Sequence, residues 1–507
     1  MKWTTPMRMD GHRVLSIIPN EIYLETFDWI TESMDFTREE CRETLANLAL
    51  VCHLFCAIAV PRIFKSLHFS GNTSNTSGSE NTSAAFCRTI LKGEQPATSL
   101  ACHVEECCLD SWKQDGLDPW INTAFLDMYR RAMKRMPNLC RLHLTEVKID
   151  KSMLKTICGL RKVKELTLGH CTFSDDITTD TVEKMKPLEL EEFAFYHSSH
   201  TELFDIHLEA ISRITDTSKL QSFLSTHPGV TEEIFSHIQE ESALVKLELL
   251  SAELTPALWN VLTQSKCLTN VELSTLFTDT DVQFAPLPST SLRRLQKLKC
   301  PPSLLDMIPG RPVSSIDLTG VIFLFDEELP MMNPKQLPLM GLQEIALLKK
   351  SSSDILRLAI PSHLYFVVPI FDNFPCVREL DIEYEHDNFK NQNMKLSTLI
   401  NNLVKQWPPA PSVLTLELGL PRRLFCTDLP LQHRQLSKLM IAFPSICTVT
   451  FGLGPVMWYR KHSDDTWSGR VLPCFRNIIR EVIQTDQDLL KLDFDGIYAA
   501  ILPQDSD

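Results

Sequence analysis

Cys102, His103, Cys107 and Cys108 crowd together in "SLACHVEECCL", the part of this 507-residue chain that comes nearest to a metal pattern. A structural zinc site pairs C-x-x-C with a second such pair or with H-x₃₋₅-H, because four ligands must converge on one ion. Neither partner is present, so the segment reads as an early strand with buried thiols, and no metal is expected. Ser, His and Asp are plentiful, but no G-x-S-x-G elbow marks a nucleophile. No G-x-x-x-x-G-K-[ST] or G-x-G-x-x-G loop is present to cradle phosphate either. Glycine is scarce, at 16 residues. The chain therefore reads as a non-enzyme, with no catalytic residue and no cofactor. Cys52 and Cys56, four apart, fit one face of a helix and read as buried thiols rather than a redox pair. Trp458 and Tyr459 in "GPVMWYRKHSDDTW" read as an exposed pair in a loop, with packing against the last repeats favoured over a ligand anchor.

Charge and composition narrow the partners. Lys and Arg number 50 against 64 Asp and Glu, a net charge of −14, and a surface of that sign repels phosphate backbones. No nucleic acid is expected, and a charged partner should be basic. At 44% hydrophobic and 22% charged residues the chain can bury a large core, which excludes wholesale disorder. "MKWTTPMRMDGHR" holds no apolar run of signal-peptide length, and sixteen cysteines scattered along so long a chain suit a reducing compartment, cytoplasmic and/or nuclear. The most apolar window, Leu45 to Val60, is broken by Asn47 and His53 and falls short of the ~20 residues that span a bilayer, so no membrane is expected.

These side chains must be placed by two kinds of element. After an N-terminal tail (1–13), residues 14–67 read as a small all-α unit. Pro19 stands where a helix can begin, with Ile22, Thr26, Phe27 and Ile30 on one side of it. Leu45, Leu48, Cys52, Phe55 and Ala59 recur at the helical period in a second helix, Thr37 with Glu40 fits a capping box, and Pro61 discourages helix beyond Val60. A Ser/Thr/Asn/Gly-rich stretch (68–84), which contains the sequons at Asn72, Asn75 and Asn81, reads as a loop or linker.

From there to the end (85–507) the pattern apolar-x-x-apolar-x-apolar repeats: "LCRLHL", "VKELTL", "LEEFAF", "LVKLEL", "LTNVEL", "VSSIDL", "LQEIAL", "VRELDI", "VLTLEL", "ICTVTF" and "LLKLDF". Weaker copies fall around Phe223 and Leu298. The mean step is about 29 residues, the leucine-rich-repeat period. The expected fold class is α/β: the helical unit, then an irregular leucine-rich-repeat solenoid with parallel strands on the concave face and helices such as "DKSMLKTICGL" and "TPALWNVLTQS" outside.

Residues 14–67 resemble an F-box, of the variety common in leucine-rich proteins of mushroom-type fungi. "IPNEIYLETFDWI" matches the family's Leu-Pro-x-Glu-Ile/Leu opening, with Ile18 in place of Leu. "LANLALVCHLFCAIAVPRIFKSLHFSG" matches the Leu-Val-Cys block and the Pro-Arg-Leu-Phe that leads into a first solenoid strand. The stretch Thr31 to Thr44 is longer than in compact members. The resemblance implies that the segment docks the Skp-type adaptor of a cullin–RING (SCF-type) ubiquitin ligase, through Ile18, Pro19, Ile22, Leu48, Val51, Cys52 and Phe55 as contacts or supports. It implies too that the solenoid selects a substrate protein for degradation. A leucine-rich protein-interaction scaffold with no ubiquitin-ligase role is the alternative.

In the strand register, the residues flanking the paired apolars project from the concave face. Glu165, Glu192, Glu248, Glu272, Asp317, Glu344, Glu379, Asp381, Glu383, Glu417, Asp493 and Asp495 are acidic there, against Arg141, Lys246 and Lys491. A face of one sign, densest around Glu379, Asp381 and Glu383, suits a substrate with a basic segment; solvated carboxylates that keep an exposed sheet from aggregating are the other reading.

Overall fold

The computed structural model describes residues 19–32, 38–71, 79–112, 119–197, 203–238, 243–250, 252–274, 276–277, 286–319, 345–384, 396–420, 429–452, 454, 456–462, 465–471 and 493–495. Helix α1 (Asn20–Glu32) starts directly after Pro19, whose carbonyl accepts the Ile22 N–H at 3.1 Å. Its inner stripe is Tyr23, Phe27 and Ile30, spaced i, i+4, i+7, so Ile22 and Thr26, expected on that side, face solvent instead.

The continuous helix expected over Leu45–Ala59 is two helices. Helix α2 (Arg38–Ala49) ends in a turn at Leu50 and Val51. Cys52, extended at φ −161°, then caps α3 (His53–Lys65), its thiol accepting the Phe55 N–H at 3.5 Å. Cys52 and Cys56 therefore do not share a helix face. The apolar period survives the break because both helices feed one core, built from Phe27, Ile30, Leu45, Leu54, Ile58 and Ala59, with Leu48, Cys52 and Phe55 packed against it. Helix α3 also runs through Pro61, against the expected stop at Val60. The proline removes a backbone donor, and the turn is held from outside, where Arg62 pairs with Asp28 of α1 at 2.5 Å. The Thr37 end of the capping box lies outside the described residues.

Strand β1 (Ser66–Ser70) follows α3 without a break, so residues 68–70 are strand rather than linker. The end of the polar stretch, from Ser79, is likewise helical, because Ala84, Cys87 and Ile90 at three-residue spacing bury one face of the helix Ser79–Lys92.

The fold is mixed α/β with mostly parallel strands, and the chain divides into two compact units: Met1–Cys267 with Phe277–Val282, and Leu268–Leu276 with Gln283–Asp507. In the first unit β1, β2 (Glu106–Asp110), β3 (Arg141–Thr145), Glu165–Gly169, Glu192–Tyr196, Ser222–Ser225 and Lys246–Leu249 form a parallel ladder, each paired with the next. Leu142, Leu166, Phe193, Phe223 and Leu247 stand in register, all buried. In the second unit Asn270–Leu273, Lys297–Lys299, Ser315–Asp317, Arg357–Pro361, Glu379–Glu383, Thr415–Gly419 and Thr448–Phe451 do the same. Val456–Tyr459 and Ser468–Val471 then add antiparallel, and Asp493–Asp495 parallel.

Nine of the eleven motifs bury all three of their apolar residues at strand positions, at the turn before them or, for Leu318, just past the strand, as stacking requires. "LQEIAL" does not: residues 345–348 are helical, and the strand there is Arg357–Pro361, with Ile355, Leu358 and Ile360 at the same apolar spacing. In "LLKLDF" only Asp493–Asp495 is described, as strand. Trp458 is fully buried within Val456–Tyr459, its indole N–H donating to Gln432 Oε1 at 2.8 Å, so it is a packing residue and not an exposed loop anchor.

Between strands, helices begin at side-chain caps. Asp150 accepts the Met153 N–H at 2.6 Å and starts Lys151–Ile157; Thr255 does the same for Leu258 at 3.2 Å, ahead of Pro256–Gln264. Asp150→Ala should lower stability by about 1 kcal/mol, and Asp150→Ser by much less, in urea unfolding. Equal midpoints for the two variants would remove the cap from the account.

Candidate interaction surfaces

The helical segment hides some of its candidate residues and offers others. Leu48, Cys52 and Phe55 are partly buried against the core, Phe55 meeting Tyr23 and Phe27 edge-on at 5.3 and 5.4 Å, so their role is support. Pro19 is exposed, and Ile22 and Val51 keep 50% and 48% of their surface in water. Leu24, Trp29 and Leu50, which the helical period did not single out, are also exposed, Leu50 at 78%. Leu50 and Val51 are presented by the turn that splits the expected helix, and that turn carried no Gly or Pro to announce it. Ile18 lies outside the described residues.

The second surface is the open face of the strands in the second unit, where alternate residues other than the buried Ala359 stay partly exposed. Glu272, Lys299, Asp317, Ala359, Asp381, Glu417 and Thr450 form one row across seven strands. Lys299, absent from the sequence-derived set, sits between Glu272 at 2.8 Å and Asp317 at 3.7 Å. Burial opposes its charge, but the hydrogen bond to Glu272 and the carboxylates of Asp317 and Glu383 outweigh that and raise its pKa. Arg357, on the strand that "LQEIAL" displaced, lies 3.7 Å from Glu379. The face is thus less uniformly acidic than the sequence implied, with Lys297, Lys299, Arg357 and Arg470 added on its strands.

What remains is a cluster around Asp381. Burial, then the carboxylates of Glu417, Asp317 and Glu383, push its pKa up to about 7, with Arg357 acting in the opposite sense. The densest cluster of carboxyl groups therefore centres on Asp381 and Glu417, while Glu379 is drawn off by Arg357. Glu344 and Lys491 lie outside the described residues; Asp493 and Asp495 are on a strand.

In the first unit the open face is mixed. Arg141 lies 3.4 Å from Glu106 and 4.0 Å from Glu165, in register with both. Burial and the neighbouring Glu192 raise the Glu165 pKa. Lys246 pairs with Glu248 at 2.8 Å. Cys102 is exposed whereas Cys107 is buried beside Met136, and among the described residues no group of three His, Cys, Asp or Glu is placed to hold a metal ion. No described helix is long and apolar enough to cross a membrane.

No protein-family model matches the chain, and no curated protein matches it at a significant level.

Proposed function

We propose that the chain is the substrate-recognition subunit of a cullin–RING ubiquitin ligase. Its F-box-like helices dock the Skp-type adaptor, and an irregular leucine-rich solenoid binds the protein to be ubiquitinated. The observation that supports this most is the division of labour in the helical segment: Leu48, Cys52 and Phe55 are spent on a small core, while Ile22, Leu50 and Val51 remain in water. Apolar side chains left exposed on so small a unit are what a helix-binding partner covers. The consecutive parallel strands, with their apolar register, support the solenoid, and the Asp381–Glu417 cluster suits a basic segment of the substrate. In this role the chain carries out no chemistry itself and needs no cofactor.

The test is co-expression with a Skp-type adaptor followed by gel filtration. The wild-type chain should co-elute with the adaptor. Val51→Glu should weaken the complex at least tenfold, because the carboxylate would be desolvated without a partner, and its melting should not change, because Val51 is already half in water. A Val51→Glu chain that still co-elutes, or a wild-type chain that never does, favours the scaffold reading.

A further inference from the structure

The first unit carries a groove whose charge runs against that of the chain. Two cavities, of about 660 and 390 Å³, share Arg161 as a wall. The larger lies along the turns that lead into five successive strands, from Glu105 to Gln221, and holds Arg161, Lys162, Lys164 and Lys219 against Glu105, Glu189 and Glu191. The smaller lies between the helices Lys151–Ile157 and Thr179–Glu183 and adds Lys151, Lys155, Lys184 and Lys186 against Asp180 alone. Eight cations thus face four carboxylates in a protein of net charge −14.

Few of these cations are consumed internally. Lys164 pairs with Glu191 and Lys184 with Asp180. Arg161 spends one N–H on the Pro187 carbonyl at 3.2 Å, and Lys162 meets only Asn138, at 3.4 Å. Lys155, Lys186 and Lys219 are exposed with no carboxylate in ion-pair range among the described residues.

The geometry points to a docking groove for an acidic protein segment in extended conformation. Five adjacent strand entries at about 4.8 Å spacing span roughly 19 Å, the length of about six extended residues. The carboxylates inside the groove choose the class of partner. A nucleic-acid strand, with a negative charge at every step, would be driven against Glu105, Glu189 and Glu191. A peptide of spaced acids can set its carboxylates beside the lysines and its backbone N–H groups beside the glutamates. This assignment is independent of the adaptor surface and of the Asp381 face.

Fluorescence anisotropy of the full chain with a labelled peptide of alternating Glu and Ser tests it. Binding is expected at low salt, and it should weaken about tenfold in moderate salt as screening sets in. The triple variant Lys155→Glu/Lys162→Glu/Lys186→Glu should weaken it about tenfold or more, the milder Lys→Gln triple in the same direction by less, and Lys266→Glu, outside the groove, not at all. The Gln triple keeps the test open should the Glu triple fold poorly. Absence of binding at low salt, indifference to both triples, or tighter binding of a single-stranded oligonucleotide than of the peptide would each overturn the assignment.

Discussion

Asp381→Asn will raise the melting temperature at pH 8 and leave it nearly unchanged at pH 4. Asp381 lies in the middle of a strand face, half-buried, with Glu417 directly opposite on the next strand and Asp317 and Glu383 nearby. Burial and those carboxylates lift its pKa to about 7, only partly offset by Arg357. An unfolded aspartate titrates near 4. The folded state therefore keeps a proton that the unfolded state releases, and stability falls as pH rises from about 4 through about 7, then levels off. A shift of some three units corresponds to an upper figure of about 4 kcal/mol at 1.36 kcal/mol per unit. Asparagine, which never ionises, should recover much of it. The check is a melting series of both proteins from pH 4 to pH 8.5; a difference that does not vary with pH would mean the carboxylate is fully solvated and the cluster electrostatically inert.

An effect of comparable size and opposite sign is expected from Arg311→Met. The guanidinium is buried at 3% exposure, with no carboxylate in ion-pair range among the described residues, and its charge is spent on backbone carbonyls. Nε donates to Ser291 at 3.1 Å, Nη1 to Met307 at 2.5 Å and Pro309 at 3.4 Å, and Nη2 to Pro288 at 3.0 Å. One planar fork thereby ties the turn before Lys297–Lys299 to the short helix Pro302–Met307. Methionine fills the volume but leaves these carbonyls without donors. Hydrogen bonds to charged groups are worth roughly 1.5–3 kcal/mol each, and an abandoned buried carbonyl adds its desolvation, so a cost of about 3–5 kcal/mol follows. Lysine should not rescue it, because a single ammonium cannot reach in three directions. Urea midpoints of the Met and Lys variants close to the wild-type value would show that the carbonyls find other donors.

A strand with one buried face leaves an apolar-x-apolar mark that little else imitates, and Leu142, Leu166, Leu247 and Leu416 were placed by it. An i, i+3 apolar pair is common to that motif and to a helix, which is how Leu342 and Ile345, the latter buried on a helical turn, drew attention away from Leu358 and Ile360. The break at Leu50–Val51 was hidden because the helical period continued across it into the same core. The charge of the open face depends on which strands are neighbours. Lys299 flanks Leu298 of a weaker repeat copy and joins Glu272 and Asp317 only in register, so the eleven clear motifs alone did not reveal the cation that tempers the acids. The basic groove likewise gathers its cations from two strand-entry turns, the helix Lys151–Ile157 and the segment that follows Thr179–Glu183, and no short linear window contains it.

Each strand of the first ladder finds its partner between 24 and 40 positions further along the chain. Contact order is correspondingly low for its length, and loop closure is brief at every step. Such a ladder can be laid down from the amino end while the chain is still being synthesised. At about 5–20 residues per second, each newly docked strand waits roughly 1–8 s for its successor, with its backbone donors and acceptors open on one edge. To a chaperone that binds unpaired strand edges, the nascent unit is a succession of short-lived docking sites, each closed by the arrival of the next repeat.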